Sequence, residues 1–216
     1  MNYVRILIEG NIMAGNGLSK LKRKEKFISP SKLYVIVTEG ETEVNYFEMI
    51  RKQIDSNIDV VCKKGKHPDT DYLIKTANKY LKDHNCNELT HCWIVLDCDV
   101  LTDANINSLQ KWQKIDNKSA KQKVGITSPN FEYWLILHFK CPNKELTKQQ
   151  CLTELKKHFP DYRKPFKNCN FNIDQIQNAV KNGSMKEISL GERKNGTNLH
   201  LLLQDLILPS LELIMK

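Results

Sequence analysis

The sequence predicts an α/β fold: a mostly parallel four-stranded sheet with helices on both faces, followed by a C-terminal helical subdomain. Three observations lead there. Four short apolar runs, at 33–37, 58–62, 92–96 and 123–127, are each followed by a segment with apolar residues at helical spacing. Such strand–helix alternation is the pattern of parallel strands joined by crossover helices. The chain beyond residue 140 keeps helical spacing and has no comparable strand run. The expected organisation is therefore a basic arm over 1–31, an α/β domain over 32–139 and a helical subdomain over 140–216.

In the arm, Tyr3 to Gly10 superficially repeats the pattern of Tyr34 to Gly40, but Gly15, Gly17 and a basic run follow it instead of an amphipathic helix. Lys20, Lys22, Arg23 and Lys24 read as a loosely held stretch able to meet phosphates. The first strand, 33–37, stops at Thr38-Glu39-Gly40. Gly40 marks the turn, Glu41, Thr42 and Glu43 suit a helix start, and Val44, Phe47, Ile50 and Ile54 give that helix one apolar face. After the strand at 58–62, Lys63, Lys64 and Lys66 form a basic loop. Asp69 or Thr70 can cap a helix through Leu81, and Asp103 a helix over 103–115. Pro129 blocks extension of the fourth strand and 131–139 reads as a largely buried helix. Further helices are expected over 146–159, over 173–180 (ended by Asn182-Gly183) and from Leu199 to Met215, the last interrupted at Pro209. Residues 191–196 read as a loop.

Formal charge is +8, and its distribution is more informative than its size. Lys and Arg outnumber acids six to two over 1–31 and thirteen to eight over 140–216, while the centre is balanced at fourteen to fifteen. Two basic flanks around a neutral centre suit a polyanionic partner, against the plainer reading of a solvated surface. Seven cysteines without a Cys-x-x-Cys pair, two of them inside or beside the third strand, suggest reduced thiols in a cytoplasmic protein. His84, Cys86, His91 and Cys92 are close in sequence but match no usual zinc spacing. No apolar run approaches the roughly 20 residues that span a bilayer.

The chemistry-bearing residues stand where strands end. Glu39 follows the first strand, at the edge where open α/β sheets place their ligands. Asp97 and Asp99 follow the third, and on an extended segment residues i and i+2 share a face with β carbons roughly 6–7 Å apart. Carboxylates that close repel unless a cation neutralises them, and an all-oxygen set suits Mg²⁺ or Mn²⁺. The plainer reading makes them turn and capping acids. Glu43, one helical turn beyond Glu39, is a candidate for the same site, although helix dipoles favour first-turn acids anyway. Glu132 is a charge inside an apolar run, which packing alone does not explain. His138 reads as a packing histidine, and Trp93, Trp112 and Trp134 as core.

Glu39-Gly40 with Thr42-Glu43-x-x-Tyr46-Phe47 after strand one, and Asp97-x-Asp99 after strand three, resemble a Toprim domain. The segment 128–139, with Phe131-Glu132-x-Trp134-Leu135-x-Leu137-His138-Phe139, is similar to the RloB-like proteins, with Ser-Pro-Asn where that family usually has Ser-Asn-Pro. Asn198-Leu199-His200-x-Leu202 resembles the family's closing helix. The resemblance implies phosphodiester chemistry with Mg²⁺ or Mn²⁺, Asp97 and Asp99 as metal ligands, and Glu39 as ligand or general acid/base. It also implies a role in antiphage defence beside a defence-associated ATPase. The chain is too short to gate a duplex as a topoisomerase and shows no primase zinc module. A nuclease acting on DNA or RNA is the expectation; the alternative is a non-cleaving regulatory or nucleotide-binding subunit of a defence ATPase complex. Arg163, Lys164 and Lys167 in the C-terminal part would contact nucleic acid, unless that part docks the ATPase.

Overall fold

The structure, a computed structural model, describes residues 32–54, 58–65, 69–84, 86–98, 101–115, 120–167 and 170–214, with 208–214 described for their backbone alone. The expected basic arm at 1–31, Lys66 and Asp99 lie outside these residues. The order is β1 (Lys32–Thr38), α1 (Glu41–Arg51), β2 (Ile58–Lys64), α2 (Thr70–Asp83), β3 (Thr90–Asp97), α3 (Asp103–Gln113), β4 (Lys121–Ser128), α4 (Phe131–Ile136), α5 (Lys148–Lys156), α6 (Ile173–Met185), β5 (Gly196–Thr197) and α7 (Leu199–Ile214).

The sheet runs β2-β1-β3-β4-β5, parallel except for β5. Alternation along each strand sorts side chains to two faces. Tyr34, Ile36, Trp93 and Val95 enter one core with α1, α4, α5, α6 and α7. Val35, Val37, Cys92, Ile94 and Leu96 enter the other with α2 and α3. Burial on both faces explains why these strands read as unbroken apolar runs. Residues beyond 140 belong to the same packing: Cys151, Leu155, Tyr162, Phe171, Ile176, Leu202 and Leu206 lie in the core that contains Tyr46 and Phe131.

Among the described residues the sheet has five strands where the sequence suggested four. The fifth is two residues long, and side chains hold it more than length does. Thr197 Oγ1 donates to the Ile126 carbonyl at 2.8 Å. The Asn198 side chain accepts from Ile126 N at 2.7 Å and donates to the Val124 carbonyl at 2.9 Å. Other details differ as well. Thr102, not Asp103, caps α3 with a capping box. Helix α6 continues through Gly183, because a side chain there would meet His200 Cβ at 3.0 Å and Trp134 at 3.1 Å; the glycine serves helix contact rather than termination. Helix α7 continues through Pro209. A proline at 209 leaves the Asp205 carbonyl without its helical N–H donor, and Tyr34 Oη donates to that carbonyl at 3.2 Å.

Candidate functional site

Parallel strands deliver their carboxyl ends to one edge. In the ladder Thr38 pairs with Val95 and with Lys64, and Asp97 with Thr127. Glu39, Lys63, Lys64 and Asp97 therefore gather at the same edge of the sheet. Asp97 continues the alternation of Trp93 and Val95, which places it on the face covered by α1 and α4. Those helices begin at this edge, so their first-turn acids Glu43 and Glu132 stand over it.

Gly40 shapes the approach of Glu43. It precedes α1 with extended backbone, and a β carbon there would lie 2.4 Å from Glu43 Oε2. The glutamate folds back over the turn, 7% exposed. This differs from a first-turn acid facing solvent, where the helix dipole alone would favour it. Glu132 is 2% exposed. Its Oε1 accepts from Tyr162 Oη at 2.8 Å and meets Lys164 Nζ at 2.8 Å. Its Oε2 and the nearby Asn130 Oδ1 are buried without a hydrogen-bond partner.

The electrostatics follow from that crowding. Burial, then the charges of Glu43 and Glu39, hold the Asp97 carboxyl well above the ordinary range, with Lys164 pulling the other way and Glu132 adding to the rise. Burial also raises Glu43, against its own backbone N–H and Lys164, while Glu39 and Glu132 reinforce the rise. Burial would lower the Lys164 ammonium, but its bond to Glu132 and the charges of Glu132, Asp97 and Glu43 outweigh that and raise it. Four carboxylates and one ammonium thus form a single interacting set.

Lys164 is placed by segment 162–166, which lies across the starts of α1 and α4. Phe166 N donates to Thr42 Oγ1 at 3.1 Å, and Asn45 Nδ2 donates to the Phe166 carbonyl at 3.1 Å. Arg163 and Lys167, on either side of Lys164, are exposed. Lys63 and Lys64 end β2 rather than forming a loop; Lys63 lies 5.8 Å from the Tyr80 ring centroid and Lys64 4.0 Å from Glu41.

The expected metal ligands Glu39 and Asp97 come to one edge, and Asp99 lies outside the described residues. Among the described residues no three His, Cys, Asp or Glu side chains are drawn together closely enough to hold a metal ion as they stand. The donor chemistry nonetheless fits a hard divalent cation: carboxylates with raised affinity for protons, and two buried oxygens, on Glu132 and Asn130, still without a partner. Tyr162 and Asn130 were not legible as site residues. A tyrosine thirty positions from Glu132 carries no local signal, and Asn130 stands at the N-cap of α4, though its side chain makes no cap bond. His138 is fully buried, bonded to Tyr46 Oη at 3.0 Å and stacked on Phe171, and burial pushes its pKa down to about 3. Trp93, Trp112 and Trp134 are buried core. His91 and Cys92 face opposite sides of β3, His91 packing at a tilt against the Tyr34 ring and Cys92 entering the core under α2. Among the described residues no helix is long and apolar enough to cross a membrane.

No curated protein and no solved structure is a significant match to the chain. A family model described as RloB-like protein matches residues 34–206, from β1 into α7. That span holds Glu39, Glu43, Asp97, Glu132, Tyr162 and Lys164, so the carboxylate edge and the segment that closes it fall within one family unit. The chain belongs to the RloB-like protein family.

Proposed function

We propose that this protein is a metal-dependent nuclease of the Toprim kind, cleaving phosphodiester bonds in DNA or RNA as an effector of antiphage defence. The observation that carries the reading is the set of mutually repelling carboxylates, Glu39, Glu43, Asp97 and Glu132, at the carboxyl edge of a parallel sheet. Repulsion and burial both disfavour such a set unless cations neutralise it. The order β2-β1-β3-β4, with Glu39 after β1 and Asp97 after β3, supports the Toprim assignment. The exposed cations Lys63, Lys64, Arg163 and Lys167 around that edge favour a polyanion. The defence role rests on the family resemblance alone.

Glu39, Asp97 and Asp99 would hold Mg²⁺ or Mn²⁺, which when bound polarises a phosphoryl oxygen and lowers the pKa of water. The protein's own groups supply the rest. Glu43, with its raised affinity for a proton, is suited to deliver one to the departing oxygen or take one from the attacking hydroxyl. Tyr162 holds Glu132 by Oε1 and so fixes the direction of Oε2. Lys63, Lys64, Arg163 and Lys167 would orient the backbone of the nucleic acid.

The test is incubation with labelled tRNA, single-stranded DNA and duplex DNA, with and without Mg²⁺ or Mn²⁺. Cleavage that needs metal and is abolished in Asp97→Asn is the expected result. Tight binding of nucleotide or nucleic acid without cleavage, in every metal and with every substrate, replaces the nuclease by the non-cleaving subunit of an ATPase complex.

A further inference from the structure

The lysine at 164 does something that its neighbours Arg163 and Lys167 do not. All three are exposed cations on one short segment, yet only Lys164 turns into the carboxylate set, with Nζ 2.8 Å from Glu132 Oε1. The pair is lopsided: the Lys164 side chain is 56% exposed and that of Glu132 is 3% exposed. The carboxylate is fixed inside and the ammonium reaches it from the mouth. The same ammonium is the cation acting on both Asp97 and Glu43. It therefore acts on the set rather than on Glu132 alone.

An ordinary stabilising salt bridge explains this poorly. A half-exposed lysine gains little from pairing, because water screens it and its long stem loses freedom. A buried carboxylate kept only for such a pair would be replaceable by an apolar residue without loss. The remaining donors point to a different use. Glu132 Oε2 and Asn130 Oδ1 are both more than nine-tenths buried and without a partner, so the site holds more oxygen donors than one ammonium satisfies. The segment carrying Lys164 is pinned on both sides, at Tyr162 through Glu132 and at Phe166 through Thr42 and Asn45. Only the flexible lysine stem between those anchors is left to move.

We propose that Lys164 is a built-in counter-cation of the carboxylate site, and that a divalent metal loads by displacing its ammonium from Glu132. This rests on the metal-dependent reading above and adds a regulation to it. The apparent metal affinity becomes an exchange constant, weakened by the resident ammonium. Loading also frees Lys164 at the mouth of the site, between Arg163 and Lys167.

Two measurements on the full chain, without nucleic acid, test this. Calorimetric titration with Mn²⁺ and Mg²⁺ should show Lys164→Met binding metal about tenfold or more tighter than wild type, since one positive charge has left the site. In wild type, acylation of lysines read by mass spectrometry should show Lys164 becoming severalfold more reactive on metal addition, with exposed Lys167 unchanged. The footprint needs no variant, so it decides the matter even if Lys164→Met folds poorly. Metal binding that is equal or weaker in the variant, or that leaves Lys164 protected, overturns the counter-cation role and leaves metal dependence standing. Binding by neither protein overturns both readings.

Discussion

At the scale of single residues, the site is governed by the difference between charge that water can screen and charge that it cannot. Burial, reinforced by Glu43 and Glu39 for Asp97 and by Glu39 and Glu132 for Glu43, holds both carboxyls in a state that favours the proton. The sign of the linkage follows. A carboxyl whose native pKa lies above its unfolded value binds protons more tightly when folded. Its stabilising contribution is complete below the ordinary carboxylate range and is lost as pH rises through the native value. Metal-free protein should therefore lose stability as pH rises through the raised pKa values of Asp97 and Glu43, and added Mg²⁺ should restore it. Asp97→Asn should raise the metal-free Tm at neutral pH by about 2–4 °C, equivalent to roughly 1 kcal/mol for a chain of this size. A melting series by calorimetry across pH checks both, and an Asp97→Asn variant that unfolds or melts lower marks the residue as structural. Gly40→Ala should keep the fold, because the atom in the way is a side-chain end. It should nevertheless swing Glu43 out of the site and lower cleavage by about tenfold or more, a loss of the order of 1.4 kcal/mol in transition-state stabilisation.

At the scale of elements, several boundaries are set by what an element packs against and not by its own residues. Glycine and proline are strong punctuation in isolated sequence. Here α6 passes Gly183 because Trp134 and His200 need the space, and α7 passes Pro209 because Tyr34 takes over the orphaned carbonyl. Tyr34 is fully buried and its phenol is raised to about 12, by burial first and Asp205 second. Tyr34→Phe should cost about 1–3 kcal/mol in denaturant unfolding, since the Asp205 carbonyl is then left without either donor. A loss below a few tenths would mean that water or relaxation satisfies the carbonyl. The two-residue β5 shows the same rule: Thr197 and Asn198 stitch to Val124 and Ile126 by side chains, which strand-length patterning does not register.

At the scale of the whole molecule, one sheet collects charges of opposite sign at one edge and covers its two faces unequally. Among the described residues, five helices lie on the face that carries Asp97 and two on the other. Helices from beyond residue 140 are part of the larger face, so segment 162–166 is brought over the starts of α1 and α4. If Lys63, Lys64, Arg163 and Lys167 meet phosphates, affinity for nucleic acid should fall steeply with salt. Each contact removed by Lys→Gln or Arg→Gln should flatten the log–log slope by about 0.7 for single strands and 0.9 for duplex. Unchanged slopes in all four variants would make these cations a solvated surface and direct the search to small nucleotides.

Elements whose signal is local can be read directly from the order of residues. The apolar runs that became β1 to β4 and the helix periodicities between them are read within a few neighbouring residues. So are Glu39 and Asp97, because a strand that ends in an acid declares its own position. Packing in three dimensions buries Glu43 against Gly40, joins Glu132 to Tyr162 and Lys164, and leaves Asn130 with a buried oxygen that has no partner. The relations of Glu132 with Tyr162 and Lys164 join residues thirty or more positions apart. Their physical basis is desolvation and Coulomb interaction at close range, which depend on distance through space, and a linear pattern carries no record of that distance.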